Sequence, residues 1–225
     1  MPTAFDTSAE DTFDAWNRER GEMLATGPRS VPKTVVVADN TLGFSDLDYC
    51  GEWVYVDDHP YWHPTIVTNY VPYRYGYWSY VPNIGNTWVG NYPFCYVTSH
   101  YGRWVCSPSY GWVWSYDPVW SPAWVASVRC GDYFMWAPVG YNCMPVYQTD
   151  SVCFSVGGVN FGMMATTCVP VSSIYYGPSV YGPMNYDYVH YMHEHPHDTY
   201  VWNISVHNDP PVHVPYHHDR NDSPM

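Results

Sequence analysis

The spacing of apolar positions changes near residue 30. Before it, Phe13, Trp16, Arg20 and Met23-Leu24 recur at helical intervals. Thr7-Ser8-Ala9-Glu10 fits a capping box, in which the Thr hydroxyl and the Glu carboxylate satisfy the orphan amides of a first turn. Gly27-Pro28 then ends the pattern. This predicts one helix, over roughly residues 8–24, with its apolar stripe docked on the body of the protein. Residues 29–48 read as a linker with one short β-branched strand at Thr34-Val35-Val36-Val37, closed by the turn pair Asp39-Asn40.

From residue 49 the pattern is a repeat. Tyr49-Cys50-Gly51-Glu52-Trp53, Tyr75-Gly76-Tyr77-Trp78 and Tyr101-Gly102-Arg103-Trp104 place a leading Trp at intervals of 25 and then 26 residues. A turn with Pro, Gly or Asp follows each, and then another aromatic strand with Trp62, Trp88, or Trp112 and Trp114. Each unit therefore reads as strand, turn, strand. A fourth hairpin is expected at Trp124–Trp136 around Gly131-Asp132, and a fifth at Ser151–Met164 around Gly157-Gly158. Residues 176–225 read as an irregular tail with one strand near Tyr200–Val206.

Opposed residues of an antiparallel pair share a face, so turn length sets which rings meet. Pairing Cys106 with Trp112 and Trp104 with Trp114 puts all three Trp on one face. The equivalent expectation for the first two units pairs Tyr55 with Trp62 and Tyr80 with Trp88. The predicted aromatic ladder is Trp53, Tyr55, Trp62, Trp78, Tyr80, Trp88, Trp104, Trp112, Trp114, Trp124 and Trp136. Cross-strand aromatic pairs contribute about 0.2–1 kcal/mol each, so such a ladder holds a sheet together with few aliphatic residues.

Composition supports strands over helices. The chain has 225 residues, with 24 Tyr, 12 Trp, 21 Pro and 16 Gly, and its only Leu residues are Leu24, Leu42 and Leu47. Beyond the N-terminus this leaves little room for long helices. The predicted fold class is all-β: stacked antiparallel hairpin repeats with one N-terminal helix and an irregular C-terminal tail. Its segments are a helix at 1–30, a linker at 31–48, the Tyr/Trp hairpin domain at 49–140, a β-rich extension at 141–206 and a His/Pro-rich tail at 207–225. Eight Lys and Arg against 21 Asp and Glu give a net charge of −13. Nucleic-acid binding and a polybasic membrane anchor are largely ruled out on that balance. No stretch approaches the roughly 18 apolar residues of a membrane helix.

Seven cysteines occur without a CxxC motif, so the common zinc, redox and haem-attachment signatures are missing. Cys95 and Cys106 are symmetric about His100-Tyr101. If Phe94–Thr98 and Arg103–Ser107 form a hairpin there, the two face each other as a candidate disulfide; two buried free thiols are the equal alternative. Met1–Asp6 has neither a basic nor an apolar leader region, so the chain reads either as one whose leader was removed or as a cytosolic one. Low Lys with high Tyr, Trp, Gly and Pro favours the first, at the cell surface, outside the cell or in the periplasm.

Several stretches together resemble an uncharacterised family of bacterial envelope proteins with a Tyr/Trp-rich domain, often found downstream of a FecR-like domain. They are Phe13–Arg20, the Tyr-Gly-x-Trp units, Tyr110-Gly111-Trp112-Val113-Trp114, Pro122-Ala123-Trp124-Val125 and Trp136-Ala137-Pro138. The resemblance covers roughly residues 10–140 and more weakly 141–205. It implies an exported, non-catalytic protein of unknown role. The chain departs from it in having no FecR-like segment and in its cysteine content.

Three kinds of site follow. Tyr61, Tyr75, Tyr77 and Tyr110, on the face opposite the Trp ladder, are candidates for stacking on sugar rings; most Trp instead read as core. His190, His193, His195 and His197, alternating on an extended strand, are candidate metal ligands, against the alternative of a solvated His-rich tail. No paired-carboxylate or nucleophile-elbow arrangement stands out, and Asp57-Asp58 falls in a turn. The expected role is a non-enzymatic, cofactor-free surface or extracellular subunit that self-associates into a fibre or layer. A glycan-binding module of the envelope is the alternative, and a periplasmic metal-binding protein is the third.

Overall fold

The computed structural model describes residues 11–35, 43–148, 151–175, 179–184, 186–195 and 199–203. The fold is mostly β, in several small antiparallel sheets, with few helices. The first helix, α1 (Thr12–Thr26), starts later than the spacing predicts. Its cap is Asp11, whose carboxylate accepts the amides of Phe13 and Asp14, and Asp14 returns the bond to the Asp11 amide. The cap expected at Thr7–Glu10 lies outside the described residues. The helix is not docked by an apolar stripe: none of its residues is buried, Phe13 and Trp16 are exposed, and its link to the body is an ion pair between Arg20 and Asp46. Of the expected linker strand, Thr34 and Val35 sit in a turn, and Val36–Asn40 lie outside the described residues.

A helix α2 (Phe44–Cys50) leads into strands β1 (Gly51–Val56) and β2 (His59–Pro64). Strands β3 (Tyr75–Val81) and β4 (Gly85–Gly90) follow, then α3 (Cys95–His100), β5 (Arg103–Ser107) and β6 (Gly111–Ser115). Next come β7 (Val125–Cys130), β8 (Tyr133–Pro138), β9 (Cys153–Val156), β10 (Val159–Gly162) and β11 (Thr167–Pro170). The chain goes on through β12 (Ser179–Val180), α4 (Tyr186–Glu194) and β13 (Thr199–Asn203). All five expected hairpins form, and β13 lies at the expected tail strand.

The repeat units are not laid side by side in chain order. The first and third share one sheet, β1-β2-β6-β5, joined where Trp62 faces Trp114. The second stands in the sheet β12-β3-β4, and the fourth in β11-β8-β7-β13. The shared sheet is built from two copies of a longer unit, helix then hairpin: α2-β1-β2 and α3-β5-β6. Helix α3 replaces the strand expected at Phe94–Thr98, which carries Cys95 out of any ladder with Cys106; Cys106 faces Trp112 instead.

Two registers differ from expectation. Trp53 faces Trp62 and Trp78 faces Trp88, while Tyr55 faces Pro60 and Tyr80 faces Asn86. The turns are tighter than assumed. Asp57 and Asp58 both take positive φ (49° and 63°), which makes a two-residue turn. Pro82-Asn83-Ile84 closes the second hairpin with Asn83 at φ 66° before Gly85 at φ 102°. Each register moves by two residues, so the faces are kept. Tyr55 and Tyr80 nevertheless end at open strand tips and are exposed, outside the buried ladder. The third register matches expectation: Trp104 faces Trp114 across a loop that ends at Gly111, φ 73°.

The Gly-x-Trp signature has a packing cause. In each unit the second Trp lies across the glycine at the start of the first strand or just beside it. A methyl built on Gly51 would sit 2.5 Å from the Trp62 ring, and one on Gly76 would sit 2.8 Å from the Trp88 ring. On Gly102 it would meet Trp114 Nε1 at 3.0 Å. The indole N–H groups then tie down helix-end carbonyls: Trp62 donates to Leu47 (3.0 Å), which also accepts the Gly51 amide, and Trp104 donates to Thr98 (2.9 Å). Trp114 donates in the same way to Tyr101 just beyond α3 (2.8 Å). Trp62, Trp78, Trp88, Trp104, Trp114 and Trp136 are fully buried, and Trp124 nearly so; Trp53 and Trp112 are half-buried.

The described cysteines are all free, so Cys95 and Cys106 form no disulfide. Cys50, Cys95, Cys130 and Cys168 are buried, and burial pushes the Cys95 thiol up to about 11 and the Cys168 thiol up to about 12. The thiolate is the reactive form. A thiol-reactive chromogen at neutral pH is therefore expected to modify exposed Cys153 first and half-buried Cys106 and Cys143 more slowly. The four buried thiols should react only in denaturant, to a total of seven. A shortfall of two in unreduced, denatured protein would refute the free-thiol arrangement.

Candidate functional site

A cleft of about 680 Å³ opens beside the shared sheet. One wall is the end of β2, His63 and Pro64, with the connection from Thr65 to Arg74; another is the β5–β6 turn, Tyr110-Gly111-Trp112; Gln148, Ser151, Met164 and Ala165 complete it. The turn is held out by its three-residue loop, which leaves Tyr110 exposed and Trp112 half-buried at the cleft. His63 leans toward Tyr110, ring centroids 6.0 Å apart, and its buried Nδ1 has no hydrogen-bond partner among the described residues.

Arg74 is the cation of this cleft and is only 7% exposed. Its Nη2 donates to the carbonyls of Met164 (2.7 Å) and Thr166 (3.5 Å), which pins the far wall. Its buried Nε has no acceptor among the described residues. Burial lowers the pKa of the guanidinium, because desolvation penalises the charged form. Among the described residues that line the cleft none is a carboxylate.

A second buried cation, Arg103, lies over the Trp124 ring at 3.0 Å and donates to the Gly102 carbonyl. Trp124 in turn donates to His100 O, and His100 Nδ1 lies 2.9 Å from Ser121 O. Burial holds His100 below its ordinary pKa. None of these three residues lines the cleft.

The four tyrosines proposed for sugar stacking are not gathered on one surface. Tyr110 lines the cleft. Tyr75, half-buried, is stacked on Tyr70 (5.7 Å, 18°) and meets Tyr92 edge-on (5.7 Å), so one of its ring faces is taken up by the protein. Tyr61 and Tyr77, opposite Val54 and Val89, are half-buried and lie outside the cleft.

The histidines are not on an extended strand. His190 and His193 belong to helix α4, and His195 follows it. His190 turns to Glu194 (3.2 Å), and His195 stacks on Tyr191 with centroids 4.2 Å apart. Among the described residues no three His, Cys, Asp or Glu side chains gather as a metal site. His197 lies outside the described residues. No described helix is long and apolar enough to cross a membrane.

Sequence reasoning missed His63, Trp112 as a cleft residue, and Arg74. One signal for Arg74 was available: it is the sole Lys or Arg between Lys33 and Arg103 in an aromatic stretch. No curated protein and no solved structure matches the chain. Residues 44–143, from the start of α2 to just past β8, match the model of a family of unknown function, DUF6600.

Proposed function

We propose that this protein is a non-catalytic glycan-binding module of the bacterial envelope, with the Tyr110–Trp112 cleft as its site. The observation that carries the reading is a pair of incompletely buried aromatic rings, Tyr110 and Trp112, bordering a cleft of ligand size on a solid aromatic scaffold. The C–H-rich face of a pyranose packs on such rings, and a loop held by a rigid core is where binding residues concentrate. Hydrolysis by paired carboxylates finds no such pair among the described lining residues. An exported location suits the reading. The test is retention on immobilised peptidoglycan and exopolysaccharide. Tyr110→Ala and Trp112→Ala are expected to lose retention about tenfold, in line with a binding aromatic anchor, while Tyr77→Ala, outside the cleft, keeps it. Equal retention by all three variants would refute the site.

A second reading, self-association, rests on a different feature. Phe13 and Trp16 stack at 5.9 Å on α1 and are 63% and 54% exposed. Two copies that cover this face would form an assembly, and sedimentation of Trp16→Glu beside the parent chain decides it: an unchanged, monomeric profile for both removes the reading.

A further inference from the structure

The chain carries a net charge of −13, and its field repels anions unless a cation is placed locally. Arg74 is such a placement. A guanidinium is expensive to bury unless a carboxylate compensates it. Among the described residues no carboxylate lies within ion-pair distance of Arg74, and two carbonyl dipoles take its place. The partnerless Nε shows how incompletely the protein itself satisfies this group. The side chain therefore does more than pin the Met164 wall, since a neutral donor would do that at less desolvation cost. Among the described residues it leaves a positive charge without a carboxylate partner at a cleft that also presents two aromatic rings and a histidine. In a partly enclosed cleft, one charge pair is worth several times what it is in bulk water.

We propose that Arg74 makes this cleft select saccharides that bear a carboxylate over neutral ones. The carboxylate balances the guanidinium while the sugar ring lies against Tyr110 and Trp112. The inference rests on the glycan reading above and adds the class of sugar. A carboxylate on a saccharide comes from a uronic acid or from a lactyl ether, and the two sources share the chemistry that Arg74 recognises.

The test follows tryptophan fluorescence of the whole chain on titration with tetragalacturonate, its fully methyl-esterified neutral counterpart, a muramic-acid disaccharide, a neutral cello-oligosaccharide and acetate. One or both acidic sugars are expected to bind about tenfold tighter than their neutral counterparts, as a charge-assisted contact supplies. Salt should shrink that advantage. Arg74→Gln should abolish it, and Arg74→Lys should keep part of it. If Arg74→Gln does not fold, the acid-against-ester comparison on the parent chain still decides. Equal binding of acid and ester overturns the inference and leaves the glycan reading standing. Acetate binding as tightly as the acidic sugars overturns the saccharide part. No binding of any sugar overturns both. Which acidic sugar binds identifies the source.

Discussion

Gly51→Ala and Gly102→Ala are each expected to destabilise the protein by about 3–5 kcal/mol, a large part of the roughly 5–15 kcal/mol that holds a domain together. At Gly51 the added methyl meets the His63 carbonyl at less than contact distance and the Trp62 ring at 2.5 Å. Neither can retreat. The carbonyl belongs to a paired strand, and the ring is fully buried with its N–H bonded to Leu47. Gly102 adds a backbone term, because its φ of +62° is costly for any residue with a Cβ. Two controls separate sterics from conformation. Gly111 also has positive φ (+73°), but nothing lies within 4 Å, so alanine there should cost only about 1–2 kcal/mol. Gly21 is helical and open, so alanine should stabilise by about 0.5–1 kcal/mol. Urea unfolding followed by tryptophan fluorescence measures all four. An unchanged midpoint for Gly51→Ala would sink the packing account of the Gly-x-Trp signature.

That signature is also where the sequence was most legible. The spacing of Gly and Trp exposes strand, turn and strand because each hairpin needs a close-approach glycine under the facing indole. Two-residue turns such as Gly131-Asp132 and Gly157-Gly158 can be seen for the same local reason: they need positive φ, which glycine tolerates. Exact register was less legible. Asp57-Asp58 both adopt the left-handed region, although neither is glycine, and that moved the Trp62 partner from Tyr55 to Trp53. Helix α3 was hidden altogether. Cys95-Tyr96-Val97-Thr98-Ser99-His100 has β-prone composition, and tertiary contacts make it helical: Val97 is buried, and the Trp104 indole caps the Thr98 carbonyl. The true repeat, helix plus hairpin with Trp53 and Trp104 as equivalent residues, is therefore twice as long as the visible one. Its second member was masked by the intervening Trp78 hairpin, which pairs elsewhere.

The candidate site was legible only in part. Tyr110 was singled out because it was read onto the face opposite the Trp ladder, and it lines the cleft. Its neighbours were not found, because the cleft joins segments far apart in the chain: Arg74 bonds to carbonyls 90 and 92 residues away. Periodicity carries no information at that range. Tyr75 shows the converse. Strand alternation put it on the outer face, but the segments flanking the hairpin fold back, and Tyr70 and Tyr92 pack against it. Outer faces in a protein of several small sheets become inner faces for the next layer.

Trp136→Ala is expected to have the largest effect of any side-chain truncation. Trp136 sits on β8 where that sheet meets the β3–β4 hairpin. Its ring is edge-on to Trp78 (5.7 Å, 89°) and Tyr181 (5.4 Å, 89°) and tilted against Trp88 (6.0 Å). Removing a buried indole of this kind costs about 3–5 kcal/mol through lost burial and the cavity left behind. A second loss comes on top. Trp136 Nε1 donates to Tyr73 O at 2.7 Å, and an unpaired buried carbonyl costs about 1–3 kcal/mol more. Tyr73 is itself a strained junction, a non-glycine residue at φ 56°. Its hydroxyl donates to Ser99 O (2.9 Å) and accepts the Trp124 amide (3.1 Å). It thus joins the segment leading into β3 to α3 and to the residue just before β7. Trp136→Phe keeps most of the aromatic volume and removes the N–H, so it should lose only about 2 kcal/mol. Calorimetric or urea unfolding of the three proteins tests the ranking. Equal destabilisation by Phe and Ala would place the whole effect in the hydrogen bond to Tyr73. Equal stability of all three would mean that the two sheets do not depend on each other through this ring.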